Sequence, residues 1–252
     1  MFDLTGRVAI ITGGNGGIGL GMALGLAQAG AAVLITGRNE AKNIEAVRSL
    51  VATGAQAAAI VADITDEAAC AALVGRATQR FGRLDILVNN AGMNIRKQPQ
   101  HYTLGEWNLI LQTNLTSAFL CAQAAHPAML EAGGGKIINI GSMMSIFGAS
   151  FSAAYGASKG GMVQMTKGLA TAWATDNIQV NAVLPGWIDT ELTRQGRQDV
   201  AGLHEKVLGR TPAGRWGVPA DMAGIAVFLA SRESDFITGT AIPVDGGFSA
   251  QG

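Results

Sequence analysis

The sequence predicts a single doubly wound α/β domain: a parallel sheet of about seven strands with helices on both faces. Three observations carry that expectation. Short β-branched runs without charge alternate with longer helical patterns along the chain, and strands apolar on both faces belong to parallel sheets covered above and below. Glycine makes up 35 of the 252 residues, and its densest run follows the first strand rather than forming a linker. No internal repeat or low-complexity segment divides the chain, which is long enough to bury its own core.

Each element follows in order. Val8–Thr12 is an apolar strand that ends at glycines, and Leu20–Ala29 is a small-residue helix that stops at Gly30. Val33–Thr36 is the next strand, and a polar helix runs from about Glu40 to Ala52. The stretch from Val8 to Gly37 carries no charge and has the length of a membrane span. Nine of its thirty residues are glycine, however, and Thr12, Asn15, Gln28 and Thr36 interrupt it, so it reads as strand, turn, helix and strand. Ala58–Ala62 is the third strand, Glu67–Arg80 a helix and Ile86–Asn89 the fourth strand. Thr103 and Glu106 form a capping box that opens a helix over Leu104–Leu130, which Pro127 is expected to kink or end. Gly133–Gly135 leads directly into a strand at Lys136–Ile140, so it is a loop and not a domain boundary. The helix Tyr155–Thr175, the strand Ile178–Leu184, the helix Ala220–Ala230 and the short strand Ala241–Val244 complete the domain, which spans 1–252. Asp189–Arg215 is long for a loop, so it is expected to hold short helices and to act as a substrate lid over about 187–218.

Composition excludes several functions. Eighteen basic and eighteen acidic residues cancel, so no global field favours nucleic acid or an anionic membrane. Low charge and high apolar content argue against disorder. The two cysteines, Cys70 and Cys121, form no CxxC pair, and the three histidines form no HExxH cluster. No disulfide framework and no metal site are therefore expected. Met1–Arg7 lacks a basic segment followed by an apolar run, so a secretory signal is not expected, and the reading is cytoplasmic.

In a doubly wound sheet, ligands bind beyond the carboxyl ends of the strands. The first such end is Thr12-Gly13-Gly14-Asn15-Gly16-Gly17-Ile18-Gly19. Its glycines permit a tight turn and close approach of backbone to a pyrophosphate, and the helix behind presents free N–H groups. Gly13, Asn15, Gly17, Ile18 and Gly19 are therefore candidate nucleotide-binding residues. The next strand ends in Thr36-Gly37-Arg38, where an acid would bind a ribose 2′-OH and an arginine a 2′-phosphate. Gly37 is neutral and Arg38 cationic, which favours NADP, with NAD less expected. Asp63 and Ile64 are further candidate cofactor contacts, Asp63 being suited to an adenine amino group or to a helix N-cap. Asn90, Ala91 and Gly92 would let the backbone pass close to a ribose, and asparagines there can tie strand ends together.

Moving a hydride at an oxygen-bearing carbon also requires moving a proton. Tyr155 and Lys159 stand at i and i+4 and share a helix face. A neighbouring ammonium favours the phenolate, which would make Tyr155 a general acid or base at neutral pH. Ser142, just past a strand, is placed to donate to a substrate oxygen, and Asn114 to hold a water or a backbone carbonyl.

With these segments in this order, the chain resembles the short-chain dehydrogenase/reductase family along essentially its whole length. The resemblance implies a Rossmann fold, a catalytic tetrad at Asn114, Ser142, Tyr155 and Lys159, and cofactor contacts by Pro185, Gly186, Ile188 and Thr190. Many family members are tetramers, so a homotetramer is expected. Phe2–Gly6, Gly21–Ala27 and Arg215-Trp216-Gly217 with Pro219 are most similar to the bacterial gluconate and 2-deoxygluconate branch, which handles sugar acids and polyols. The expected reaction is hydride transfer between NADP(H) and a secondary alcohol or ketone, such as a sugar acid, polyol or cyclic ketone. Alternatives are a 3-oxoacyl thioester reductase, a lyase or epimerase, and a non-catalytic cofactor-sensing protein. Thr171 stands where the thioester reductases usually carry a basic docking residue.

The substrate wall is expected after strands four to six, at Asn94, Arg96, Met144 and Trp187. Arg96 or one of the lid arginines (Arg194, Arg197, Arg210, Arg215) is a candidate for a carboxylate; solvated surface is the plainer role for all of them.

Overall fold

Buried strands must pair their backbone groups with one another and be covered on both faces. In the computed structural model, which describes residues 2–251, seven strands do so: β1 Val8–Thr12, β2 Ala32–Gly37, β3 Ala57–Val61, β4 Ile86–Asn89, β5 Gly135–Ile140, β6 Ile178–Pro185 and β7 Ala241–Val244. They form one parallel sheet in the order β3-β2-β1-β4-β5-β6-β7. The strand order reverses between β1 and β4. Of the expected domain span, Met1 and Gly252 lie outside the described residues.

The helices are α1 Gly17–Gln28, α2 Glu40–Val51, α3 Glu67–Phe81, α4 Leu104–Leu111, α5 Ser117–Glu131, α6 Ala153–Trp173, α7 Glu191–Asp199, α8 Leu203–Arg210 and α9 Ala223–Ala230. Period-two alternation divides β1 between two cores. Ala9 and Ile11 pack with Met22 and Leu26 of α1 and Ala226 and Leu229 of α9. Val8 and Ile10 face the opposite layer, with Leu73 and Ala77 of α3 and Cys121, Ala125 and Met129 of α5. The interior strands β1, β4, β5 and β6 are wholly buried, whereas the edge strands β3 and β7 are partly exposed.

Two expectations are corrected. The helix expected over Leu104–Leu130 is interrupted by a π-helical turn at Gln112–Thr116, between α4 and α5. Pro127, expected to kink or end the helix, does not end it, since α5 continues to Glu131. A proline inside a helix costs about 3 kcal/mol, but the buried face of α5, from Ala118 through Ala125 to Met129, runs past it. Burial of that stripe against α3 outweighs the lost bond. The capping box of Thr103 and Glu106 is present. The long segment after β6 contains α7 and α8, packed around Leu203, Val207 and Trp216.

Candidate active site

The carboxyl ends of the strands open into a cleft of ≈ 520 Å³. Gly13, Asn15, Gly17 and Ile18 of the glycine turn, Arg38, Asp63, Ile64, Asn90–Gly92, Ser142, Tyr155, Lys159, Pro185, Gly186, Ile188 and Thr190 all line it, whereas Gly19 is buried behind the turn. One end is built by β1 and α1. Thr12 Oγ1 accepts from the backbone N–H of Asn90 at 3.0 Å and of Ala91 at 3.1 Å. Asn90 Nδ2 donates to the carbonyls of Thr12 and Gly13, each at 3.0 Å. A Cβ on Gly19 would overlap both Asn90 Nδ2 and the Gly13 carbonyl, so only glycine lets the two strand ends close in this way. The N-cap of α1 is Gly16, without a side-chain cap. The first N–H groups of α1 are therefore left facing the cleft, a setting that suits a pyrophosphate.

Arg38 is exposed at the rim. Asp63 accepts from Thr65 N at 3.0 Å and Thr65 Oγ1 at 2.8 Å. These bonds, with the Arg38 charge behind them, hold its carboxyl below the usual range. The N-cap of α3 is Asp66, which accepts from Ala68 N, so Asp63 is not the cap. The edge strand, the rim cation and the unsealed helix end together fit a dinucleotide with a charged 2′ position.

At the other end stand Ser142, Tyr155 and Lys159. Burial pushes the Tyr155 phenol above its ordinary value; the Ser142 hydroxyl and then the Arg96 charge pull it partly back. The Lys159 ammonium donates to the Ile140 carbonyl at 2.7 Å and lies 5.7 Å from the Tyr155 ring centroid. Burial lowers its pKa to about 8. Here the lysine bonds a strand-end carbonyl one turn from the phenol, and the Arg96 charge also draws the phenol down. Ser142 Oγ accepts from Met144 N at 3.1 Å, which leaves its O–H free to donate.

Asn114 is completely buried in the π-helical turn. Its Oδ1 accepts from Met93 N at 2.8 Å, and its Nδ2 donates to Met93 O at 2.9 Å and Ser158 Oγ at 3.0 Å. It thus holds the backbone beside Gly92. Asn89 Nδ2 donates to Asn139 Oδ1 at 2.9 Å, tying β4 to β5.

Asn94, Arg96, Met144 and Trp187 also line the cleft. Asn94 Nδ2 donates to Ser152 Oγ at 3.1 Å, and its buried Oδ1 has no partner. Arg96 Nη1 reaches Asp199 at 3.1 Å and Nη2 the Leu192 carbonyl at 3.1 Å, so it fastens α7 over the cleft. The lid arginines are engaged elsewhere. Arg194 and Arg197 pair with Asp189, Arg215 pairs with Asp221, and Arg210 stacks on Phe147 and Phe248. No cluster of three potential metal ligands occurs among the described residues, nor does any helix there have the length and apolarity to cross a membrane.

Lys42, Asn43 and Ser152 escaped the sequence reading. Lys42 pairs with Glu191 of α7 at 2.5 Å across the cleft mouth. Asn43 is buried between β2 and the glycine turn. Both sit in a polar helix whose spacing does not separate them from its solvated residues.

The family described as enoyl-(acyl carrier protein) reductase matches residues 13–249. The chain is 43% identical over 251 residues to a 2-dehydro-3-deoxy-D-gluconate 5-dehydrogenase of Escherichia coli (strain K12), covering 99% of this chain and 98% of the relative. A crystal structure of a gluconate 5-dehydrogenase from Burkholderia cenocepacia J2315, in complex with NADP and tartrate, superposes with a TM-score of 0.94 at 41% identity, covering 100% of this chain and 98% of that one. A crystal structure described as a putative short-chain dehydrogenase/reductase from Burkholderia xenovorans superposes with a TM-score of 0.94 at 36% identity, covering 99% and 98%.

Proposed function

The chain belongs to the short-chain dehydrogenase/reductase family, and on that premise we propose that it interconverts a secondary alcohol and a ketone with NADP(H), on a polyhydroxy acid of the sugar-acid class. One observation carries the reading. A single cleft joins a glycine turn and Arg38 at one end to Ser142, Tyr155 and Lys159 at the other. The cofactor, when bound, supplies the two-electron carrier that the side chains lack.

The chain's residues do the rest. Tyr155 carries its proton at neutral pH, as a phenol titrating at about 10 does, and burial favours that form further, so it is ready to protonate a ketone oxygen, or in the reverse direction to take the alcohol proton. The free O–H of Ser142 donates to the same oxygen and stabilises the charge that develops there. Lys159 anchors α6 to the end of β5 and sets the position of Tyr155 one turn away. Asn114 holds Met93 and so keeps Gly92 open beside the reacting carbon. A guanidinium has five N–H donors, and Arg96 uses two of them on Asp199 and Leu192. The remainder, with the unpartnered Asn94 Oδ1, suit a carboxylate and a hydroxyl of one substrate. Residues 187–218 act as the lid, and Pro185, Gly186, Ile188 and Thr190, which line the cleft, as cofactor contacts.

Thioester reduction fits less well, because Thr171 turns its hydroxyl back onto the Lys167 and Gly168 carbonyls of its own helix. The proposal extends to a homotetramer in the cytoplasm, supported by exposed Leu104, Leu109, Phe119 and Leu130 along α4 and α5 and by two free, buried thiols.

The test is a side-by-side NADPH and NADH assay against keto sugar acids, polyols, cyclic ketones and 3-oxoacyl thioesters, with Tyr155→Phe as control. Turnover should appear with NADPH and a keto acid. Tyr155→Phe should lose at least about 100-fold in kcat while nucleotide binding persists. Near-normal turnover in that variant would remove Tyr155 from the chemistry.

A further inference from the structure

We propose that Asn15, pinned by Asn43, sets the nucleotide preference of this chain by filling the space from which a ribose-binding carboxylate would emerge. The proposal rests on the nucleotide reading above and adds the device behind it.

At the end of β2, residue 37 points toward the glycine turn. Asn15 Nδ2 donates to Asn43 Oδ1 at 2.7 Å, and Asn43 Nδ2 donates to the Gly37 carbonyl at 2.9 Å and the Ile60 carbonyl at 3.5 Å. Asn43 is 2% exposed and Asn15 half-buried, and their amides form a bridge from the glycine turn to the ends of β2 and β3. It lies directly over Gly37. A Cβ built there would overlap Asn15 Nδ2 and stand 2.6 Å from Asn15 Cγ and 2.8 Å from Asn43 Oδ1. The φ of Gly37 is not positive, so the backbone would accept any residue. The obstacle is the bridge.

Two consequences follow. An aspartate at 37, the change that would supply a ribose acceptor, can be seated only if the Asn15 amide swings off Asn43 and the bridge is broken. Asn15 is also neutral, so it places no charge against a 2′-phosphate beside Arg38 and Lys42, which line the same end of the cleft. Preference for the phosphorylated nucleotide is therefore a joint property of positions 15, 37 and 43, and position 37 cannot be converted alone.

The test measures binding of NADPH and NADH to the purified protein without substrate, by the fluorescence of the reduced nucleotide. The proteins are the wild type, Gly37→Asp, Asn15→Ala and the double variant. Gly37→Asp alone should weaken both nucleotides by about tenfold or more, without gaining NADH preference. The double variant should bind NADH about tenfold more tightly than Gly37→Asp does. A folded Gly37→Asp that switches to NADH by itself overturns the proposal. Should Gly37→Asp fail to fold, a melting cycle with Gly37→Ala decides: its melting temperature should fall by several degrees and recover when Asn15→Ala is added. An unchanged melting temperature for Gly37→Ala overturns the proposal. A wild type that favours NADH would instead overturn the nucleotide reading of Arg38, and the melting cycle would still judge the bridge.

Discussion

Lys159 is a buried cation tied to the end of a strand. Its ammonium is 3% exposed within the residue as a whole and answers only the Ile140 carbonyl, so burial brings its pKa down to about 8. In the unfolded chain a lysine titrates near 10.4. Between these values the unfolded state holds a proton that the folded state has released, so stability rises with pH from about 8 toward 10. Tyr155, raised by burial, acts in the opposite sense only above about 10. Urea melts of the nucleotide-free protein at about pH 7.5 and 9.5 should show a gain larger by about 2 kcal/mol in the wild type than in Lys159→Met. Equal gains would mean that the ammonium is solvated. At the cleft's other end, Arg38→Ala should weaken NADPH by about tenfold or more and leave NADH nearly unchanged, as removal of a phosphate-paired guanidinium predicts. Equal loss for both nucleotides would contradict the 2′-phosphate role.

At the scale of elements, α7 lines the cleft within the proposed lid and is held by few ties. Thr190 caps it with Thr193, Lys42 reaches Glu191, and Arg96 holds Asp199 and the Leu192 carbonyl. The Lys42–Glu191 pair is exposed and worth little, so Arg96, only 10% exposed at its side chain, is the stronger fastening. Asp199→Asn should speed limited proteolysis within 191–199 severalfold and raise KM more than it lowers kcat. Cleavage at the wild-type rate would show that the lid is held elsewhere. The π-helical turn at Gln112–Thr116 is the second decisive element. It inserts an extra residue where Asn114 must face Met93 instead of solvent, a use that such turns often have beside functional sites.

Across the whole molecule, the sheet gathers groups from six strand ends, β1 to β6, into one cleft, and the helices leave apolar side chains uncovered on the outside. Phe236, next to β7, is fully exposed, and Leu104, Leu109, Phe119 and Leu130 leave an apolar face on α4 and α5. Sedimentation velocity should return a tetramer, and a monomer across the micromolar range would dismiss that assembly. The strands, the glycine turn and the i, i+4 pair of Tyr155 and Lys159 were legible in the amino-acid order, because local periodicity and backbone freedom depend on neighbours in the chain. What Lys159 bonds to, which arginine faces the cleft, how Pro127 is carried through α5 and why Gly37 bears no side chain were decided by the tertiary structure alone. Each depends on a partner distant in sequence (Ile140, Asp199, the α3 face, Asn15), and burial or a contact made across such a gap leaves no trace in local spacing.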